Sequence, residues 1–334
     1  MNIILPIKLP LIRAFCHQAL IHAILTTNEE TAPWLHSNYI QIFTLKDLLS
    51  TDRIGTLDFY CNFYGDFHFY EHSTCPWLLM NRYPRDVVRE KWNGEFNFVK
   101  ERIKENEYVY LVLDRKYYFI RENSSFHPVL IYGFDDNNNV FYAADNNKFG
   151  KYGLQTIDYS SFLKSLNVPP REDVEGGRPE GICTFKLRKT SDPEPYKFHL
   201  TKVIRDLKDY IDPISGDDLV YVYGIMCYDE LCKYYNHIKQ NEYIDIRAIS
   251  TMVDHKRLMT SRLEYMSKNG YISDNLIHNY YNQVESRIIT VRNLLLKYNI
   301  SYDEKIIVKS IDILQETASI EKDFIINLIG QLEH

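Results

Sequence analysis

Residues 127–145 read HPVLIYGFDDNNNVFYAAD: an apolar run from Pro128 to Phe134, turn formers from Asp135 to Asn139, and a second run from Val140 to Asp145. Asp and Asn tolerate left-handed backbone and cap their own turns, so the two runs are expected to fold back as an antiparallel hairpin. With Phe134 facing Asn139 across a four-residue loop, His127 lies opposite Asn146; a loop one residue shorter or longer moves it opposite Asp145 or Asn147. Opposed Cβ atoms lie roughly 4.5–5.5 Å apart in such a ladder, close enough for a carboxylate or amide to reach a ring nitrogen. A hairpin of this kind orients an imidazole through its second nitrogen, the task of the third member of a catalytic triad.

The nucleophile to match is near the chain start. Leu11 to Leu25 reads as a short, almost wholly apolar helix that belongs in a core, and Cys16 stands close to its N-terminal end. The positive end of the helix dipole and a nearby imidazole both favour a thiolate, so Cys16 is the expected nucleophile and His127 its base, with Asp145, Asn146 or Asn147 to orient the ring. The bland alternatives are a packing cysteine, a histidine satisfied by backbone and a turn aspartate.

Around these residues the chain reads as α+β. Strand-like runs at Thr56 to Tyr64 and Tyr108 to Ile120 flank a helix expected over Arg85 to Lys104. The breaker-rich stretches Asn167 to Gly181 and Ser191 to Tyr196 imply a boundary near 190. Beyond about 198 the apolar period becomes helical: Ile249, Met252, Val253, Met259, Leu263 and Met266 share one face, and Leu276, Tyr280, Val284, Ile288, Val291 and Leu295 another. Asp303 to Leu332 repeats the pattern. The expected organisation is a catalytic domain over 1–190 and a helical region over 191–334 packed on it.

Composition limits the partners. The chain has 334 residues, 45% of them hydrophobic, enough for a sizeable core, and a net charge of −6 that offers no field for nucleic acid or an anionic membrane. No stretch reaches the roughly 18 apolar residues of a membrane span, and the first ten residues lack the apolar segment of a signal peptide, so a soluble cytoplasmic protein is expected. Six cysteines, at 16, 61, 75, 183, 227 and 232, are too sparse for a disulfide framework. Cys61, His68, His72 and Cys75 lack the close Cys pair of a structural zinc module, so no metal is expected there. His17, Asp254 and His255 are read as structural. Arg82, Arg85, Arg89 and Lys91 are read as a solvated helix face, the rival reading being a docking surface for an acidic carrier protein.

The spacing of an N-terminal CHQA helix (16–19), HPVLIYGFDD (127–136) and FYAAD (141–145) resembles the papain-like fold, specifically relatives of the double-glycine leader peptidases. Over nearly the whole chain, including DIRAISTMVDHKRLM at 245–259, it resembles the butirosin biosynthesis protein H type and the papain-like amide synthetases of natural-product pathways, closthioamide assembly among them. The resemblance implies transfer of an acyl group from a phosphopantetheinyl carrier-protein thioester to Cys16 and then to a small-molecule amine, with His127 as base, Asp145 as orienting residue and no intrinsic cofactor. In one respect the sequence departs from that pattern: papain-like peptidases carry an oxyanion-binding Gln a few residues before the cysteine, whereas Pro10 lies six residues before Cys16, leaving backbone N–H groups at the helix start for that role. The rival readings are a peptidase or amidase that passes the acyl group to water, and a non-catalytic small-molecule-binding protein of the same fold.

Overall fold

A computed structural model describes residues 1–46, 57–60, 75–119, 122–147, 151–168, 181–189, 197–213 and 220–333. Its strands are β1 (Asn2–Ile4), β2 (Gln41–Leu45), β3 (Asp58–Tyr60), β4 (Leu78–Tyr83), β5 (Tyr108–Asp114), β6 (Phe126–Asp135), β7 (Val140–Asn146), β8 (Tyr152–Asp158), β9 (Ile182–Leu187) and β10 (Tyr221–Tyr223). The fold is mixed α and β with antiparallel sheets, and the chain divides into two compact units, residues 1–32 with 63–196 and residues 33–62 with 197–334.

The first unit is built on a sheet of order β4-β9-β5-β6-β7-β8. β5 reads YVYLVLD with every residue buried, as a strand covered on both faces must. β5 bonds Phe126 to Ile131 of β6, and β1 bonds Gly133 to Asp135 along the same edge. Gly133 is required there: a Cβ would lie 2.6 Å from the Ile3 carbonyl oxygen and 3.0 Å from Ile4 Cα. The helix Cys16–Leu25 buries Gln18 to Leu25 without a break, so it is an interior helix.

Several local expectations shift. The helix begins at Cys16, not Leu11, because Phe15 is still extended at φ −122° and ψ 134°. The single helix expected over Arg85 to Lys104 is two, Arg85–Trp92 and Glu95–Lys104, broken where Asn93 (φ 53°) and Gly94 (φ 109°) turn left-handed. The run expected as strand to Ile120 ends at Asp114, and Lys116–Phe119 is a helical turn. Most of the loop expected from Asn167 to Gly181, and all of 191–196, lies outside the described residues.

The second unit joins a three-stranded antiparallel sheet, β10-β2-β3, to helices Leu200–Ile211, Cys227–Asn236, Arg247–Lys268, Ser286–Ser301 and Glu304–Leu332. Residues 33–46 and 57–60 pack here, although the sequence reading assigns them to the first 190. Phe43 pairs with Tyr223, His255 Nε2 donates to the Ile40 carbonyl at 2.7 Å, and Arg262 Nε donates to the His36 carbonyl at 2.8 Å. The two apolar helical stripes read from the sequence are buried throughout.

Inside this unit Lys256 Nζ lies 2.8 and 2.7 Å from the two oxygens of Glu321, which also accept from the hydroxyls of Tyr210 (3.1 Å), Tyr228 (2.7 Å) and Tyr280 (2.6 Å). All five side chains are buried, and the carboxylate is saturated by donors, which is what lets a charge pair persist away from water. Among the described residues no helix is long and apolar enough to cross a membrane. Replacing Lys256 by Met strands Glu321 and is expected to cost about 3–5 kcal/mol in denaturant unfolding, while Lys256→Met with Glu321→Leu is expected to recover part of that loss.

Candidate active site

Cys16 is the first residue of its helix, and the first intrahelical bond runs from Ala19 N–H to the Phe15 carbonyl at 3.0 Å, so the sulfur stands at the positive end of the dipole. Opposite it stands His127, on β6 and paired across the sheet with Leu113 of β5. The Cys16 Sγ lies 3.6 Å from His127 Nε2 and 3.9 Å from Nδ1.

Asp145 reaches the same ring by a route that differs from the expected register. Phe134 faces Phe141 instead of Asn139, because Asn139, at φ 54°, belongs to the turn, and Asp135 caps that turn by accepting from Asn137 N–H at 2.8 Å. Between Ile131 and Gly133 the register slips by one, leaving Tyr132 as a bulge residue, and Leu130 then faces Ala144. Side chains alternate faces along a strand. Carried on from Leu130, the slipped register puts Asp145 on the face of Val129 and His127. The register of the turn, unslipped, would set Asp145 opposite Leu130 on the other face. Asp145 therefore meets His127 diagonally, its Oδ1 2.8 Å from Nδ1.

Two further residues complete the cluster, and the sequence reading does not single them out. Arg115 follows β5 and forks onto Asp145, with Nη2 2.6 Å from Oδ1 and Nε 3.1 Å from Oδ2; the same Nη2 lies 2.7 Å from His127 Nδ1 and 3.1 Å from the Asn146 carbonyl oxygen. The Tyr118 hydroxyl donates to Asp145 Oδ2 at 3.0 Å, and the Asn146 N–H to Oδ1 at 2.6 Å. A signal for Arg115 was present in the sequence: Arg115 and Lys116 interrupt an otherwise apolar run, and a strand that ended there would leave Arg115 beside the start of the next.

The electrostatics follow from this packing. Burial opposes ionisation of the Cys16 thiol, but the charge of His127 and its hydrogen bond outweigh burial and hold the thiol below its ordinary value of 9.0. Burial also opposes a charged His127, yet the Cys16 charge and the bond to Asp145 raise the ring from 6.5 to about 9. The other described cysteines go the opposite way: burial pushes Cys75 and Cys232 up to about 12 and Cys183 to about 11, and raises Cys227 as well. Of the five described thiols one is held low, and it is the one facing an imidazole.

The remaining candidates separate. His17 is half-buried, its ring 5.7 Å from that of Phe15. Asp254 and His255 are buried, and the His255 ring stacks on Tyr210. Cys61, His68 and His72 lie outside the described residues, among which no cluster of metal-binding side chains occurs. The basic run is largely solvated: Arg82, Arg89 and Lys91 are exposed, and Arg85 alone is drawn inward, although both Arg85 and Arg89 reach the buried Glu95, at 3.5 and 2.9 Å. No protein-family model matches the chain, and neither does any curated protein.

Asp145→Asn leaves the guanidinium of Arg115 uncompensated beside His127, so the imidazolium and with it the thiolate are disfavoured. Iodoacetamide labelling of Cys16 at pH 7, read by peptide mass, is expected to slow about tenfold or more, and Tyr118→Phe, which removes one of several donors, to change it far less.

Proposed function

We propose that the chain is a papain-like, cysteine-dependent acyltransferase that forms amide bonds. The observation that carries this reading is the approach of Cys16 Sγ to 3.6 Å from His127 Nε2 at a helix N-terminus, with Asp145 2.8 Å from the other ring nitrogen. A lowered thiol and a raised imidazole describe a thiolate–imidazolium pair, the resting form of an activated cysteine.

The reaction runs in two halves. The thiolate attacks the carbonyl carbon of a thioester, the oxyanion gathers at the positive end of the Cys16 helix, and the thiol of the donor leaves with the proton of His127. An amine then attacks the acyl-Cys16 carbonyl. His127 Nε2 takes the amine proton, the C–S bond breaks, and the thiolate–imidazolium pair returns. The resemblance of residues 16–19, 127–136 and 141–145 to the amide synthetases supports a carrier-protein thioester as donor and a small amine as acceptor, acting in the cytoplasm.

The test is to incubate the chain with an acyl phosphopantetheine thioester and follow intact mass, then add amine. The wild type is expected to gain one acyl group, located at Cys16, and to release it as amide; Cys16→Ala is expected to gain none. An acyl-enzyme that discharges only to acid in the presence of amine assigns a hydrolase instead, and a wild type that never gains mass removes the catalytic assignment.

A further inference from the structure

The guanidinium of Arg115 has no place in the reaction written above, yet it is buried against both the imidazole and its carboxylate. A carboxylate beside an imidazole stabilises the imidazolium; left alone, buried Asp145 does so strongly. Here Asp145 already accepts two bonds from Arg115, one from Tyr118 and one from the Asn146 N–H before His127 is counted. Arg115 Nη2 also lies 2.7 Å from His127 Nδ1, and a guanidinium offers donors only. A protonated Nδ1 is tolerated there when the Nη2 hydrogens turn to Asp145 Oδ1 and the Asn146 carbonyl, which lie 2.6 and 3.1 Å away. The Arg115 charge therefore works against the imidazolium at every stage.

We infer that Arg115 is a positioning residue whose fork compensates the charge of Asp145, so that His127 gives up its proton once Cys16 carries an acyl group and stands ready as the base that receives the amine proton. The inference rests on the acyl-transfer reading and assigns a cause to its second half. Among the influences that raise His127 in the free chain, the charge of Cys16 is the largest. Acylation abolishes that charge, which leaves Asp145 as the remaining support for the imidazolium, and Arg115 already offsets Asp145. An acyl-enzyme with a neutral imidazole accepts a proton from an amine near pH 7; one with a persistent imidazolium does not. Among the described residues, the charged and titratable groups around the ring are Cys16 and His17 on the helix, Arg115 and Tyr118 after β5, Asp145 on β7 and, through Cys16 and Asp145, Tyr152 on β8. Of these, Arg115 is the fixed cation in direct contact with the ring.

The test uses the full chain with Cys16→Ser, which removes the thiolate as acylation does, and follows His127 by ¹⁵N NMR of labelled histidine across pH. Adding Arg115→Met is expected to move the His127 midpoint up by about one pH unit, with Arg115→Lys in between. In the Cys16 protein, discharge of preformed acyl-enzyme by hydroxylamine is expected to show the same upward displacement of its low-pH limb. If Arg115→Met does not fold, Arg115→Met with Asp145→Asn removes both buried charges, and its midpoint is expected to return close to that of the parent. A midpoint that stays put, or a rate that falls equally at every pH, overturns the inference and leaves Arg115 as packing. Wild type that acylates but makes no amide refutes the amide-forming reading alone, because the NMR titration reports on Arg115 without turnover.

Discussion

β6 carries one residue more than β7 over the stretch that ends at the site, and the geometry of the triad depends on that surplus. The tight turn after Asp135 sets one register, and the bulge at Tyr132 replaces it with another before the strands reach His127. A slip of one residue exchanges the faces of a strand, so the bulge decides whether Asp145 or Asn146 shares a face with the imidazole. Gly133, next to the bulge, also admits β1 to contact with no room for a side chain, so closing the sheet edge and aiming the carboxylate fall to adjacent residues.

The site this produces is a compact and largely buried set of charges. Cys16, His127, Asp145 and Arg115 alternate in sign when the first two are ionised, and every neighbouring contact is between opposite charges except that of Arg115 with the ring. Low polarity strengthens each of these interactions and makes any uncompensated member costly. The Lys256–Glu321 cluster of the other unit solves a similar problem differently: both carboxylate oxygens are filled by the ammonium and three tyrosine hydroxyls, so the buried charge is compensated on every side.

Much of this was legible in the sequence, and the rest was not for identifiable reasons. The hairpin, the interior helix and the two apolar stripes are local patterns, and periodicity reads them directly. The pairing of Cys16 with His127 needed tertiary reasoning, but the hairpin narrowed the third residue to Asp145, Asn146 or Asn147. The register near the turn was off because the four-residue loop sits one residue further along, with Asn139 in left-handed backbone; the bulge then brings Leu130 opposite Ala144, one residue from the expected pairing and within the range the sequence allowed. That β2 groups with the C-terminal helices was not legible because the edge it pairs with, β10, lies far downstream in the chain. Arg115 went unseen because the expected strand was run on past Asp114 to Ile120, despite the charged residues that interrupt it.

The acyl-transfer chemistry proposed for this chain needs a thiolate held beside a charged imidazole in the resting state. Thiolate absorbance near 240 nm, taken as wild type minus Cys16→Ser across pH, tests that state without substrate. The account predicts a thiolate signal already present at neutral pH and lost with His127→Ala; a difference signal that first rises at or above pH 9, unchanged by His127→Ala, would contradict it.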